Sequence, residues 1–402
     1  MNEGVRRVRH LDLTGGAGRL TVCDMKSAAA GLLIAATTAA ATVILALSPT
    51  ARAASPAWNA RAAAAYLDAR QDWWQHWPNA ARDHDTQCVS CHTALPYALA
   101  RPALRRALGE RDLAGPERLM INNVVKRVTL WREVEPFYPD QTRGLPKTSE
   151  SRGTESILNA AVLVARDAEA GALSAEARQA FANMWALQFK NGDLKGAWAW
   201  LNFHYEPWES NDSPYFGATI AALAIGSAPG GYASSPEIQD QMKLLREYLQ
   251  KGADTQTLFN RLMVLWASAK LPGLLTPEQR QAIVAAANAK QQDDGGWTMA
   301  ALGSWKRVDS TALETASDGY ATGLVTLALQ QAGVAATDAR VSRGLAWLAA
   351  RQDAASGMWW SASLNKQRDP ASDAGKFMSD AGTAYAVLAL TQARVSGSST
   401  DR

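Results

Sequence analysis

The sequence predicts an all-α fold built from six helix pairs, and three observations predict it. From residue 57 onward, Ala- and Leu-rich segments place apolar side chains at the ~3.6-residue spacing of a helix, and Gly, Pro, Asp and Trp separate these segments. Runs with the alternation of a β-strand are few. One sequence unit also recurs at a fixed spacing.

The recurring unit begins with glutamine and ends with tryptophan. It occurs three times, at Gln188–Trp198, Gln291–Trp297 and Gln352–Trp359. We expect each copy to end the outer helix of a pair. In each case an apolar helix follows, with an early threonine 31 residues after the glutamine, at Thr219, Thr322 and Thr383.

Six inner helices are predicted in this way. Their starts are marked by Thr93, Thr154, Thr219, Thr257, Thr322 and Thr383. The outer partners are predicted at 58–76, 116–131, 174–190, 236–251, 276–292 and 337–352. A single pair cannot bury both of its faces, so the pairs must stack as a tandem array, which is either an open solenoid or a closed ring.

The form Gln-x-x-x-Gly-Gly-Trp at 291–297 resembles the QW repeats of triterpene cyclases. The chain is similar to the squalene cyclase and protein prenyltransferase superfamily of α/α toroids, and this resemblance implies one closed (α/α)6 barrel over residues 55–395. It also implies a structural role for the repeat residues Gln188, Trp198, Gln291, Trp297, Gln352 and Trp359. The cyclases' DxDD acid motif is missing from the sequence, and the mature chain has no spare cysteine for the prenyltransferase zinc set, so both parent activities are in doubt.

The stretch QCVSCHT (87–93) contains the two cysteines of the mature chain and one histidine. Three kinds of site compete for this pattern: a covalent c-type heme, a redox disulfide and half of a zinc site. A heme needs two thiols at this spacing for thioether bonds and a following histidine as axial iron ligand, and Cys88, Cys91 and His92 supply that set. A zinc site lacks a second ligand pair, and a redox disulfide lacks a βαβ context. We therefore expect one covalent heme c.

The loops that lead into the inner helices should open on one face of the barrel, where we expect the cavity mouth. The CxxCH precedes Thr93, so the heme is expected at that mouth, among loop aromatics. Its sixth iron ligand is predicted to be His204, with Met378 as the second candidate. Three loop cations are candidates for contacts with the heme propionates, Arg143, Lys147 and Arg152.

Three aspartates recur shortly before the inner-helix marks: Asp212, Asp318 and Asp380. They are either N-caps that satisfy free backbone amides or acids with raised pKa values that deliver protons in an apolar cavity. Glu155, beside Thr154, is a weaker candidate of the same kind.

The N-terminal region predicts export. Residues 1–24 are an upstream extension, and 25–54 have the charge, apolar run and small-residue site of a signal peptide, with an uncleaved membrane anchor as the alternative. We therefore expect the barrel to lie in the periplasm. Residues 396–402, which follow the barrel in the chain, are expected to form a disordered tail. The net charge of +3 is too balanced to indicate a nucleic-acid partner.

These observations lead to three functional hypotheses. The first is an exported monoheme c-type oxidoreductase that holds a hydrophobic substrate, for example an isoprenoid, next to the iron. The second is a periplasmic electron-transfer cytochrome that docks a redox partner protein. The third is a squalene or terpene cyclase-like enzyme with an auxiliary heme, which the missing DxDD motif disfavours.

Overall fold

The structure is a computed structural model that describes residues 57–398. Within that range the fold is all-α, with thirteen helices and one small two-stranded sheet. The predicted upstream extension and signal peptide lie outside the described residues. So does most of the predicted tail, of which residues 396–398 belong to the last helix.

The helices run as follows: α1 Ala60–His76, α2 Ala94–Leu108, α3 Gly115–Thr129, α4 Asp140–Arg143, α5 Lys147–Ala170, α6 Ala175–Ala186, α7 Ser213–Ser227, α8 Gln239–Gly252, α9 Leu258–Lys270, α10 Pro277–Ala289, α11 Gly319–Gln331, α12 Ala339–Arg351 and α13 Phe377–Ser398. The two strands, β1 Ala81–Arg82 and β2 Thr86–Gln87, are antiparallel and lie between α1 and the CxxCH.

The six predicted outer helices are confirmed as α1, α3, α6, α8, α10 and α12, and the six inner ones as α2, α5, α7, α9, α11 and α13. Burial separates the two sets. The described side chains of α7 and α11 are buried on nearly every face, whereas α8 and α12 bury one stripe. Four inner helices, α5, α7, α11 and α13, begin before their threonine marks, because each threonine lies within about the first two turns of its helix.

Each inner helix packs against the next one in chain order, α2 on α5, α5 on α7, α7 on α9, α9 on α11 and α11 on α13, and α13 also packs on α2. The α11–α13 contact is the most extensive, and Gly323 permits it. A Cβ on this residue would lie 2.6 Å from the backbone nitrogen of Ala386.

The QW-type residues hold the outer helices together. The side-chain amide of Gln188 donates to Gly196 O in its own loop and to Gln241 O in α8, each at 3.0 Å. Gln291 links α10 to Arg340 in α12 in the same way. Gln352 links α12 to Asn59, the N-cap of α1. The predicted structural role of these glutamines is confirmed.

The tryptophans of the same repeat units are buried, and each donates a hydrogen bond to a residue earlier in the chain. The indole N–H of Trp198, Trp297 and Trp359 donates to a backbone carbonyl near the end of the preceding outer helix, at 2.6, 2.8 and 2.7 Å. The threonine marks have a related role, because Thr322 and Thr383 accept the backbone N–H of Trp297 and Trp359. The repeat therefore joins an outer helix end, a loop and an inner helix.

Candidate functional site

The CxxCH forms the approach to α2. Trp74 at the end of α1 donates its indole N–H to Cys88 O at 2.6 Å, and Cys88 N donates to Ala80 O at 2.8 Å. Ser90, inside the motif, accepts the backbone N–H groups of Thr93 and Ala94 and so caps the first turn of α2. The motif is thus fixed from both sides by α1 and α2.

Both motif cysteines are buried free thiols. Burial raises the pKa of Cys88 to about 12 and that of Cys91 well above its usual value. The thiols are therefore neutral at physiological pH. Burial thus disfavours the thiolate form of both cysteines.

His92 lies in an aromatic cage. Its ring stacks on Phe377 with centroids 3.8 Å apart, meets Trp74 edge-on at 5.0 Å and lies 5.8 Å from Trp208. Burial, aided by the charge of Arg70, lowers the pKa of His92 to about 3, so the imidazole is neutral. A neutral imidazole is the form that binds iron.

The hydrogen bonds of His92 assign its tautomer. Nδ1 lies 2.9 Å from the Thr93 hydroxyl oxygen, and that hydroxyl donates to Asp380 Oδ2 at 2.8 Å. Because the hydroxyl proton is directed at the carboxylate, Thr93 must accept from Nδ1–H. The lone pair of Nε2 is then available to a metal, which is the arrangement of a histidine ligand oriented through its other nitrogen.

Asp380 is the centre of a buried polar network. Its Oδ1 accepts the Tyr66 hydroxyl and the Arg70 Nε, both at 2.8 Å, while Oδ2 accepts Thr93. It lies inside the first turn of α13, so it is not the N-cap of that helix. Since its oxygens accept three donors, Asp380 connects α1, α2 and α13 and orients His92 through Thr93.

A cavity of about 420 Å³ adjoins the motif through Trp74, which lines it. The cavity also contains Tyr138 with two guanidinium groups over its ring, Arg82 at 4.9 Å and Arg143 at 5.6 Å. The Nε of Arg82 is buried and has no hydrogen-bond partner. The cavity thus offers aromatic and cationic contacts to a ligand's rim and carboxylates, while the three motif residues Cys88, Cys91 and His92 do not line it.

Of the three cations predicted for the propionates, the structure places one at this cavity. Arg143 lines it, but Lys147 bonds Glu150 and Asn202 O, and Arg152 bonds Val134 O. Arg82 was missed by the sequence analysis. It lies in β1, and no sequence signal distinguishes it from other surface arginines.

The two candidates for the sixth ligand are in different environments. His204 is exposed, with φ of +59°, and no ring contact joins it to His92. Met378 is buried in the first turn of α13 and follows Phe377, which stacks on His92. Met378 is thus buried and follows a ring neighbour of His92 in the chain, and on that ground we rank it above His204.

The predicted acids divide by role. Asp318 is the N-cap of α11 and accepts from Tyr320 N, Ala321 N, Met299 N and Ser361 Oγ; burial raises its pKa to about 6. Asp212 precedes α7 but is exposed, and its side chain makes no cap bond. Glu155 is fully buried and pairs with Arg127 at 2.5 Å. Neither Asp318 nor Glu155 faces the motif as a free acid.

Glu209 was missed by the sequence analysis. Its backbone is fixed by a β-bridge to Tyr205, directly after Trp208, the aromatic neighbour of His92. Burial raises the pKa of Glu209 to about 7; the charge of Lys147 lowers this pKa and the charge of Glu150 raises it. The negative charge of Glu209 in turn helps to raise the pKa values of both motif thiols. The only sequence signal was its position in an aromatic loop.

Aromatic rings continue from His92 into the interior of the inner helices. Trp208 lies 5.9 Å from Tyr320, whose hydroxyl accepts the indole N–H of Trp208 at 3.0 Å. Tyr320 stacks on Tyr385 at 5.1 Å, and Tyr385 meets Trp266 edge-on at 5.9 Å. These rings fill the interior on the side of the motif.

A larger cavity lies elsewhere. It measures about 790 Å³ and is lined by the C-terminal halves of α2, α5, α7 and α9, at the opposite end from the CxxCH. The larger cavity therefore lies at the end opposite the expected mouth. At the CxxCH face the structure has the smaller cavity beside Trp74, and buried rings fill the interior next to it.

No protein-family model matches the chain, and no curated protein is significantly similar to it in sequence. Between residues 57 and 398, none of the helices has the length and apolarity needed to cross a bilayer. The same part of the chain contains no group of three or more His, Cys, Asp or Glu side chains placed to hold a bare metal ion.

Proposed function

We propose that this chain is an exported monoheme c-type oxidoreductase built on an (α/α)6 toroid. The observation that carries the proposal is the state of the CxxCH. Two buried neutral thiols precede a neutral histidine whose Nδ1 is engaged by Thr93 and whose Nε2 is available.

In this proposal Cys88 and Cys91 would hold a heme through thioether bonds, and the imidazole of His92 would bind its iron. A heme c bound there supplies one-electron redox chemistry at its iron. The chain's own residues prepare the place: Thr93 and Asp380 fix the imidazole, and Arg82 and Arg143 supply positive charge for the propionates. Phe377, Trp74 and Trp208 exclude water around the imidazole.

The toroid is supported by the contacts between helices. The inner helices contact one another in a cycle that returns from α13 to α2, and Gln352 links the last outer helix to the first. The resemblance to the squalene cyclase and prenyltransferase superfamily is consistent with this architecture and remains a prediction.

A second candidate function is electron transfer with a redox partner protein in the periplasm. The observation that favours it is the filled interior: Tyr320 and Tyr385 are almost inaccessible to solvent on the side of the motif. With these rings packed together, the space that the structure shows next to the CxxCH is the cavity lined by Arg82 and Tyr138. The cyclase hypothesis is weaker, since Asp318 accepts four donors and is not free to protonate a substrate.

The test is covalent heme attachment in the full chain, expressed with a c-type heme maturation system. After a denaturing gel, heme stain should mark the native protein and the matched control Val89→Ala, which changes the motif segment but keeps Cys88, Cys91 and His92. It should be lost in Cys88→Ala/Cys91→Ala. Absence of stain in the native protein would exclude the proposal.

An optical spectrum of the stained protein then separates the two candidate functions. A high-spin iron that binds carbon monoxide supports an enzyme, and a closed six-coordinate iron supports an electron carrier. If the iron is six-coordinate, Met378→Ala should convert it to high spin, whereas His204→Ala should not.

A further inference from the structure

We propose that the end of the barrel opposite the CxxCH is a second binding site, which takes a small molecule with an apolar body and one anionic head group. The site is the C-terminal cavity, defined as two adjoining spaces of about 790 and 380 Å³ that share Arg106, Trp266 and Lys270. The proposal does not depend on heme attachment, because its residues are separate from the CxxCH.

The position of the cavity is set by the six inner helices. The larger space is lined by α2, α5, α7 and α9, and the smaller one by α2, α9, α11 and α13. All six inner helices therefore contribute, mainly through their C-terminal halves. A space of this size lies within the ~300–1,000 Å³ that is usual for small-molecule sites.

Small side chains create the space. The lining includes Ala161, Ala165, Ala168, Ala224 and Gly226 in the larger part and Ala103 and Ala107 in the smaller. Gly226 also lets α7 approach α9, since a Cβ there would lie 2.6 Å from the backbone of Lys270. Leu99, Leu223 and the Trp266 ring complete an apolar wall, so the body of the ligand should be apolar.

The charges at the cavity favour an anionic head group. Arg106 and Lys270 line both parts, and Glu169 is the single acidic lining residue among those described. Glu169 already accepts from both Arg105 and Arg106. Lys270 is exposed in the last turn of α9 and makes no ion pair with any described residue. Its ammonium group is thus available to a ligand.

The free carbonyls at the C-terminal ends of these helices carry partial negative charge, which Arg106 and Lys270 in the last turns of α2 and α9 offset. Because that negative charge would attract a cation, a cationic ligand is the competing occupant. The experiment compares ligands that share one alkyl chain and differ in charge, so that the two occupants give opposite results.

The test uses the full-length protein and the neutral fluorescent probe N-phenyl-1-naphthylamine. The probe should bind, and dodecanoate should displace it at a lower concentration than dodecanol or dodecylamine. Lys270→Gln should raise the dodecanoate concentration needed by about fivefold, the size of one exposed charge interaction. It should leave dodecanol unchanged. Lys251→Gln, at an exposed lysine outside the cavity, is the matched control.

Cavity filling gives an independent check. Ala168→Phe places a ring on an exposed cavity-lining residue of α5 and should weaken probe binding at least about tenfold. Ala346→Phe, on the exposed face of α12, should not. The proposal is overturned if the probe does not bind, if the two Phe variants behave alike, if dodecylamine competes as well as dodecanoate, or if Lys270→Gln matches Lys251→Gln.

Discussion

The two ends of the six inner helices differ in the size of their side chains. At the CxxCH end, Trp208, Tyr320 and Tyr385 are buried and in ring contact, and the cavity beside Trp74 measures about 420 Å³. At the other end alanines line a cavity of about 790 Å³. The same helices form both ends. Because interiors are close-packed wherever side chains are large enough, residue volume decides which end is open.

The polar groups differ between the ends as well. Near the CxxCH, Asp380 and Glu155 are fully buried and have cationic partners, Arg70 and Arg127. At the C-terminal cavity, the lining cations Arg106 and Lys270 are exposed. The buried carboxylates at the CxxCH end are therefore held in fixed orientations, whereas the exposed cations at the other end can exchange a protein partner for solvent.

The largest effect should come from breaking a buried ion pair at the CxxCH end. Arg127→Met removes the closest cation of the buried Glu155 carboxylate and leaves it Arg152 at 3.8 Å. It also removes the donors to Thr86 and Glu135 O. We expect a loss of about 3–5 kcal/mol in the free energy of unfolding. Arg106→Met, which breaks an exposed pair, should cost at most about 1 kcal/mol. Chemical denaturation measures both, and equal losses would contradict the difference between the ends.

A smaller effect should follow from Tyr320→Phe. The variant leaves the buried indole N–H of Trp208 without its acceptor, which should cost about 1–3 kcal/mol. Trp208→Phe combined with Tyr320→Phe removes both partners, so the double variant should lose less than the sum of the single losses. Additive losses, measured by denaturation of all three variants, would show that this hydrogen bond contributes nothing.

The smallest effect concerns pH. Burial raises the pKa of Glu209 from its ordinary 4.5 to about 7, so between these values the folded state binds more protons than the unfolded state. Glu209 by itself should therefore lower the free energy of unfolding by about 1–2 kcal/mol as pH rises through this window, after allowance for partial exposure. Asp318, with a pKa raised to about 6, adds a loss of the same sign. His92, whose pKa is lowered to about 3, contributes a rise with pH up to its ordinary 6.5.

Glu209→Gln should remove the Glu209 contribution, so the unfolding free energy of the variant should fall less, or rise more, than that of the native protein as pH increases. The comparison is the unfolding free energy of the native protein and the variant at about pH 5 and about pH 8. Asp212→Asn, at an exposed aspartate of the same region, should leave the slope unchanged. A Glu209→Gln slope equal to the native one would remove Glu209 from the explanation.

Local patterns were predictable from the sequence because they depend on near neighbours. The helix period, the Gln-to-Trp unit and the 31-residue spacing predicted twelve of the thirteen observed helices, and α4 was missed as a short turn within a loop. The role of Gln188, Gln291 and Gln352 was also predicted, although their partners on the next outer helix were not.

The site was predicted less completely, because its parts come from distant segments. The motif residues themselves were visible in the sequence. Asp380 was assigned to a cap or a proton donor, whereas it binds Thr93 across 287 residues and Tyr66 across 314. Arg82 and Glu209 carry no sequence pattern, and their relevance arises from what packs beside them.

The sequence by itself determined that the chain forms helix pairs and that one short segment has the residue set for a covalent heme, since both depend on residues close in the chain. The tertiary structure decided which end of the inner helices is filled and which is open, and how His92 is oriented. Both depend on side chains that meet only after the first and last helices have packed together.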